Sequence, residues 1–191
     1  MPLNLQRGRA LSRVVVGLAW LAGAATAGAD ERAGRFEAPV KAAFLYHFAR
    51  FVEWPAEPAG RPSREFTIGI LGENPFGSSL ESAVAGKTVG GRPLVVRRAS
   101  NVAEARRYEI VFVGLEGEEL TRALDGLRGA PVLTVGDADG FVRQGGIVSF
   151  ARDENHVRLE INSDAARAAG LKVSSRLLSL ARLSRGAEAS R

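Results

Sequence analysis

The chain has 191 residues, 46% of them hydrophobic, with 26 Lys and Arg against 21 Asp and Glu and no cysteine. That length and apolar content suit one domain with a sizeable core, and the lack of cysteine excludes a disulfide or a thiol switch in this chain. The formal charge of +5 is too small, and too concentrated at the N-terminus, to be the footprint of a nucleic-acid binder.

Met1 to Arg13 carries Arg7, Arg9 and Arg13 and no acid, and an apolar run of 11 residues, Val14–Ala24, follows. A bilayer needs roughly 20 apolar residues, so this run reads as the core of a secretory signal. Small residues at Ala25-Thr26-Ala27 and Ala27-Gly28-Ala29 offer cleavage after Ala27 or Ala29. Residues 1–29 are therefore expected to be a signal peptide that exports a mature chain with no membrane insertion of its own. Losing three of the 26 basic residues leaves 23 against 21 acids, a net charge of +2.

Residues 30–38 read as a polar, flexible leader. Pro39 suits a first helical turn. In VKAAFLYHFARFVEWP, Val40, Phe44, His47, Phe48, Phe51 and Val52 then recur at helical spacing. The helix is expected to end near Trp54, before Pro55, and to bury these aromatics with His47 packed among them and Tyr46 and Arg50 at the edge.

Phe66 to Leu71 is apolar on nearly both faces, the pattern of a central strand covered on each side. A turn follows through Gly72, Asn74, Pro75 and Gly77. Ser78 or Ser79 is placed to cap a helix carrying Leu80, Ala83 and Val84. Gly72 and Gly77 share the spacing of a phosphate-cradling loop, but Ser78 occupies the lysine position and Pro75 removes a backbone donor. A strand-to-helix turn with Phe76 tucked against the sheet is the reading that remains.

Val89–Arg98 reads as an edge strand and Val102–Arg107 as a short helix. Glu109–Gly114 reads as a buried strand, Glu118–Leu127 as an amphipathic helix ended by Gly129, and Val132–Val135 as a fourth strand. Gly136–Gly140, GDADG, lacks the third acid and the closing Glu of a calcium loop and is read as a turn. Ile147–Ala151 and Val157–Asn162 form a hairpin across Arg152–His156, whose Asp153, Glu154 and His156 are read as a solvated turn rather than a metal site. Ser163–Ala169 is a helix ended by Gly170, and Ser174 or Ser175 caps a last helix to about Leu183, before a basic tail, residues 185–191. The expected architecture is a single compact α/β domain over residues 39–184. Its central mixed sheet of about six strands is flanked by helices in a three-layer, Rossmann-like arrangement.

No nucleophile elbow, catalytic cysteine or metal cluster is visible, and the chain has only two histidines. The basic cluster of Arg92, Arg97, Arg98, Arg106 and Arg107 has no interleaved aromatics on which bases would stack. The expectation is a non-enzymatic protein with no catalytic residue, metal or cofactor. Two alternatives stand beside it. One is a small-molecule binder using the crevice at the carboxyl ends of the strands, at Gly72, Asn74 and Gly114; the other is an enzyme whose acid pair includes Asp137 or Asp139.

Three stretches in this order, KAAFLYHFARFVEWP, FTIGILGENPFG and LEINSDAARAAGLKVSSRLLSLARL, make Val40–Leu183 resemble the YfiR-like periplasmic proteins. The resemblance implies a homodimeric regulator in cyclic di-GMP signalling and biofilm regulation. Such a regulator represses an inner-membrane diguanylate cyclase by contacting its periplasmic region, and an outer-membrane lipoprotein relieves the repression. Its working part would be an exposed apolar patch, for which Trp54, Pro55, Phe76 and the aromatic edge of the first helix are the candidates.

Overall fold

A computed structural model describes residues 27–55, 64–153 and 156–186. Most of the expected signal peptide, part of the Pro and Gly loop before Phe66, Glu154 and nearly all of the basic tail lie outside the described residues, as do the side chains of Asp153 and His156.

The chain runs α1 (Ala27–Phe51), β1 (Val52–Glu53), β2 (Phe66–Gly72), α2 (Ser79–Val84), β3 (Thr88–Val89), β4 (Arg92–Ala99), α3 (Val102–Ala105) and β5 (Ile110–Gly114). It continues through α4 (Gly117–Leu127), β6 (Leu133–Gly136), β7 (Val148–Asp153), β8 (His156–Ile161), α5 (Ser163–Ala168), β9 (Lys172–Val173) and α6 (Ser175–Gly186). Seven strands form one sheet in the order β3-β4-β2-β5-β6-β7-β8, while β1 and β9 pair apart from it. The pairs from β4 through β7 are parallel; β3 with β4 and β7 with β8 are antiparallel.

Alternation along the parallel strands fills both faces. Ile68, Ile70, Ile110, Phe112, Leu133 and Val135 point into a core shared with α1, α2 and α6. Leu71, Val111, Val113 and Val132 point into a second core under α3 and α4. Helices on both faces explain why these strands read as near-continuous apolar runs. The α/β three-layer expectation holds, with seven strands in the central sheet.

Several elements differ from the sequence reading. α1 begins at Ala27 and holds Pro39 inside it, so the polar stretch before Pro39 is helical; its Glu, Arg and Ala residues are good helix formers. Glu37 and Lys41, an i,i+4 pair in the favourable order, are 2.6 Å apart. The helix stops at Phe51 rather than near Trp54, because Val52 and Glu53 pair with Val173 and Lys172.

The face that α1 buries is also rotated from the expected one. Lys41, Ala42, Leu45, Phe48, Ala49 and Val52 are buried, whereas Val40 and His47 are exposed and Phe44 and Phe51 are half-buried. Around Gly90 and Gly91 the single edge strand becomes a hairpin. Both glycines have positive φ, 58° and 79°, the two-residue turn whose twist matches antiparallel strands. Ser78 stands at the start of α2 but makes no side-chain cap, while Ser174 Oγ does accept from Leu177 N–H at 3.3 Å.

At the amino ends of the parallel strands, Glu109 ties the sheet together. Its Oε2 accepts the Thr67 N–H at 2.8 Å, its Oε1 pairs with Arg92, and its backbone oxygen accepts the Trp54 indole N–H at 3.0 Å. Nearby, Tyr108 donates to Glu104 at 2.7 Å, and burial together with that carboxylate pushes its hydroxyl up to about 12. Its ring packs so close to Gly69 that a Cβ there would lie 2.3 Å from it.

Glu109→Ala removes a charge partner and a buried acceptor at once. It is expected to cost about 3 kcal/mol, a fall of roughly 6–12 °C in Tm for a domain of this size. Differential scanning calorimetry checks it, and an unchanged Tm would remove Glu109 from this role.

Candidate functional site

The order of connections reverses between β2 and β5. From β2 the chain crosses to β4 on one side, then returns to β5 on the other. Open α/β sheets carry their ligand crevice at the carboxyl ends of the strands flanking such a reversal.

Here those ends are Gly72 and Gly114, which are register partners. The Glu73 N–H donates to Gly114 O at 2.8 Å. A Cβ on Gly72 would lie 2.3 Å from Gly114 O, and one on Gly114 would lie 2.2 Å from Glu73 O. Gly72 also has φ of 92°, so side chains are excluded on conformational and steric grounds together. Asn74 builds the turn above: its Oδ1 accepts the Phe76 N–H at 2.9 Å and its amide donates to Gly77 O at 3.4 Å.

A crevice of about 820 Å³ opens over this point, with Glu73, Pro75 and Gly114 in its wall; Gly72 and Asn74, also expected there, do not line it. Its floor is Phe112 and Phe150. Lys41 reaches it from α1, only 5% exposed. The Lys41 ammonium donates to Asp137 at 2.8 Å, pairs with Glu37 at 2.6 Å and lies 5.8 Å from the centre of the Phe150 ring. Taking an ammonium out of water is costly unless carboxylates accompany it, and both are present. Asp137 is thus partnered by a lysine, not by a second carboxylate as an acid pair would require. Phe141 follows GDADG and fills the gap between Gly136 and Gly146, where added Cβ atoms would meet its ring at 2.3 and 2.1 Å.

Across α1 lies a second, apolar site. Val40, Ala43, Phe44, Phe51 and Leu177 line a groove of about 680 Å³ between α1 and α6, with His47, Arg50 and Arg176 at its rim. Val40, at 44%, is the exposed large hydrophobic residue among those described. Phe44 packs inward on Phe48 and Phe150 with tilted rings, each pair of ring centres 6.1 Å apart, so the groove and the crevice share an aromatic wall.

The expected patch residues separate. Phe76 is 2% exposed and meets Phe112 edge-on at 4.8 Å; it is core and presents no surface to a partner. Trp54 is half-buried, edge-on to Phe66 at 5.0 Å, and Pro55 is exposed beside Gly170. The aromatic edge of the first helix is the part that forms a groove. Lys41 escaped sequence reading although it was legible, since a lysine in helical phase with Leu45, Phe48 and Val52 points where those residues point.

A sequence model described as DUF4154, YfiR/HmsC-like, matches residues 38–182. The chain belongs to the YfiR/HmsC-like family. Among solved structures, a conserved domain protein from Vibrio cholerae O1 biovar El Tor is similar to this family member at 18% identity, with a TM-score of 0.41. The likeness covers 61% of this chain and 53% of that one, about half its length. No curated protein matches this YfiR/HmsC-like chain. Among the described residues no helix is long and apolar enough to cross a membrane, and no three metal-ligating side chains converge.

Gly114→Ala is expected to force the ends of β2 and β5 apart and to destabilise the fold by about 3 kcal/mol. The urea unfolding midpoint reports it; an unshifted midpoint would show that the strand ends tolerate a side chain.

Proposed function

We propose that this chain is a periplasmic, non-enzymatic regulator that binds the periplasmic region of an inner-membrane diguanylate cyclase and holds it inactive. The observation that carries this reading is the exposed apolar groove of α1 and α6, in a chain whose family is YfiR/HmsC-like. Soluble domains rarely leave large apolar side chains together on a surface without a partner for them. An elongated groove with aromatic walls suits an amphipathic helix laid into it.

The rim cations Arg50 and Arg176, with His47 between the aromatics, favour a helix flanked by acids. Regulation then needs only that one form of the cyclase offers this helix better than the other, so that binding shifts its population. Trp54 and Pro55 belong to this reading as the corner that fixes where α1 ends, Trp54 through its bond to Glu109. Assembly as a homodimer, and relief by an outer-membrane lipoprotein, are parts of the same proposal.

Deleting the gene is expected to raise cellular cyclic di-GMP, and the wild-type chain to restore it. Val40→Glu with Ala43→Glu places acids in the groove at two exposed positions. The double variant is expected to fold normally, to bind the cyclase region at least about tenfold more weakly, and to leave cyclic di-GMP high. A folded variant that still restores the low level would overturn the groove as the binding face.

A further inference from the structure

The groove between α1 and α6 is polarised along its length. Val40, Ala43 and Phe44 make one end apolar, while His47, Arg50 and Arg176 gather at the other, around Phe51. His47 stacks on the Phe51 ring with centres 6.0 Å and planes 17° apart, and the Arg176 guanidinium stands 5.8 Å from the centre of the same ring. Arg50 lies 6.0 Å from the centre of the Tyr46 ring. Among the described residues, no acid lines the groove.

Neither guanidinium is neutralised. Among the described residues no carboxylate pairs with Arg50, Arg176 or His47, and all three side chains are exposed. Arg50 stands in the last turn of α1, where a cation suits the helix dipole. Arg176 has no such reason to be where it is. It stands in the first turn of α6, where the dipole opposes a cation, and that turn carries no acid to offset it. A guanidinium resting on an aromatic face keeps its planar fork of donors for another acceptor, and a carboxylate takes two of them at once.

We propose that this groove binds a free fatty acid, with its carboxylate between Arg50, Arg176 and His47 and its chain along Phe44, Ala43 and Val40. From Val40 to Phe51 the helix rises about 16 Å, long enough for a medium-length acyl chain laid beside it, and a volume of about 680 Å³ is that of a small-molecule site. The charge pattern selects the ligand. An apolar wall alone would take any hydrophobic tail, whereas cations confined to one end call for an anionic head there. A bound acid covers the surface offered to the cyclase helix and so competes with it. That regulatory consequence rests on the function proposed above; the binding itself does not.

Titration of the purified chain with dodecanoate in a calorimeter, below its micelle concentration, tests the site. Saturable binding is expected, weakened about tenfold or more in an Arg50→Gln, Arg176→Gln variant. Both side chains are exposed and lie outside the two cores, so the variant's circular dichroism and Tm are expected to match the wild type's. Dodecyltrimethylammonium, with the same chain and the opposite charge, is expected not to bind. No saturable binding of dodecanoate, equal binding by the variant, or equal binding of the ammonium compound would each overturn the proposal. Dodecanoate is further expected to displace the cyclase region, and simultaneous binding of both would overturn the competition. A chain that binds dodecanoate in this way but never the cyclase region would support the fatty-acid site and overturn the cyclase reading.

Discussion

Glu109 is the point through which the lower end of the sheet is held together. Its carboxylate takes the Thr67 N–H of β2 and the Arg92 guanidinium of β4. Its backbone oxygen takes the Leu133 N–H of β6 and the Trp54 indole N–H. Three neighbouring strands and the corner after α1 are thereby joined to the start of β5. Because a buried carboxylate is stable only while its partners stay in place, this knot constrains strand register and the exit of α1 together.

The opposite end of the same strands is built on a different constraint. Gly72 and Gly114 bring the backbones of β2 and β5 closer than any side chain would allow. Side chains that fan out above them leave a polar crevice in place of more core. α1 lies between the two kinds of surface. One of its faces sends Lys41 to Asp137 in the crevice, while Val40 and Phe44 on the adjoining face border the apolar groove. Phe44 against Phe150 is the physical contact between them.

Most of the sheet was legible because its strands are covered on both faces, which turns FTIGILG and IVFV into continuous apolar runs that a surface strand would not show. Gly170 ended its helix as expected, with φ of 72°. What sequence could not give was the choice between two apolar faces on α1. Leu45, Phe48 and Val52 and the set Val40, Phe44 and Phe51 both satisfy helical spacing, and only packing decides which is buried. Phe76, proposed as surface, is held in the core by the Asn74 turn. Glu109 looked like the first residue of a strand, since its partners Thr67, Arg92 and Trp54 are 17 to 55 positions away. The β1–β9 pair escaped for the same reason, two residues at each site being too few for a pattern.

The most direct measurement is in-cell photocrosslinking from a reactive residue placed at Val40 in the groove, compared with one at Arg122 on the exposed side of α4. The account expects a crosslinked inner-membrane diguanylate cyclase from position 40 and none from position 122. A crosslink from 122 alone, or none from 40 in cells where cyclic di-GMP remains repressed, would contradict it.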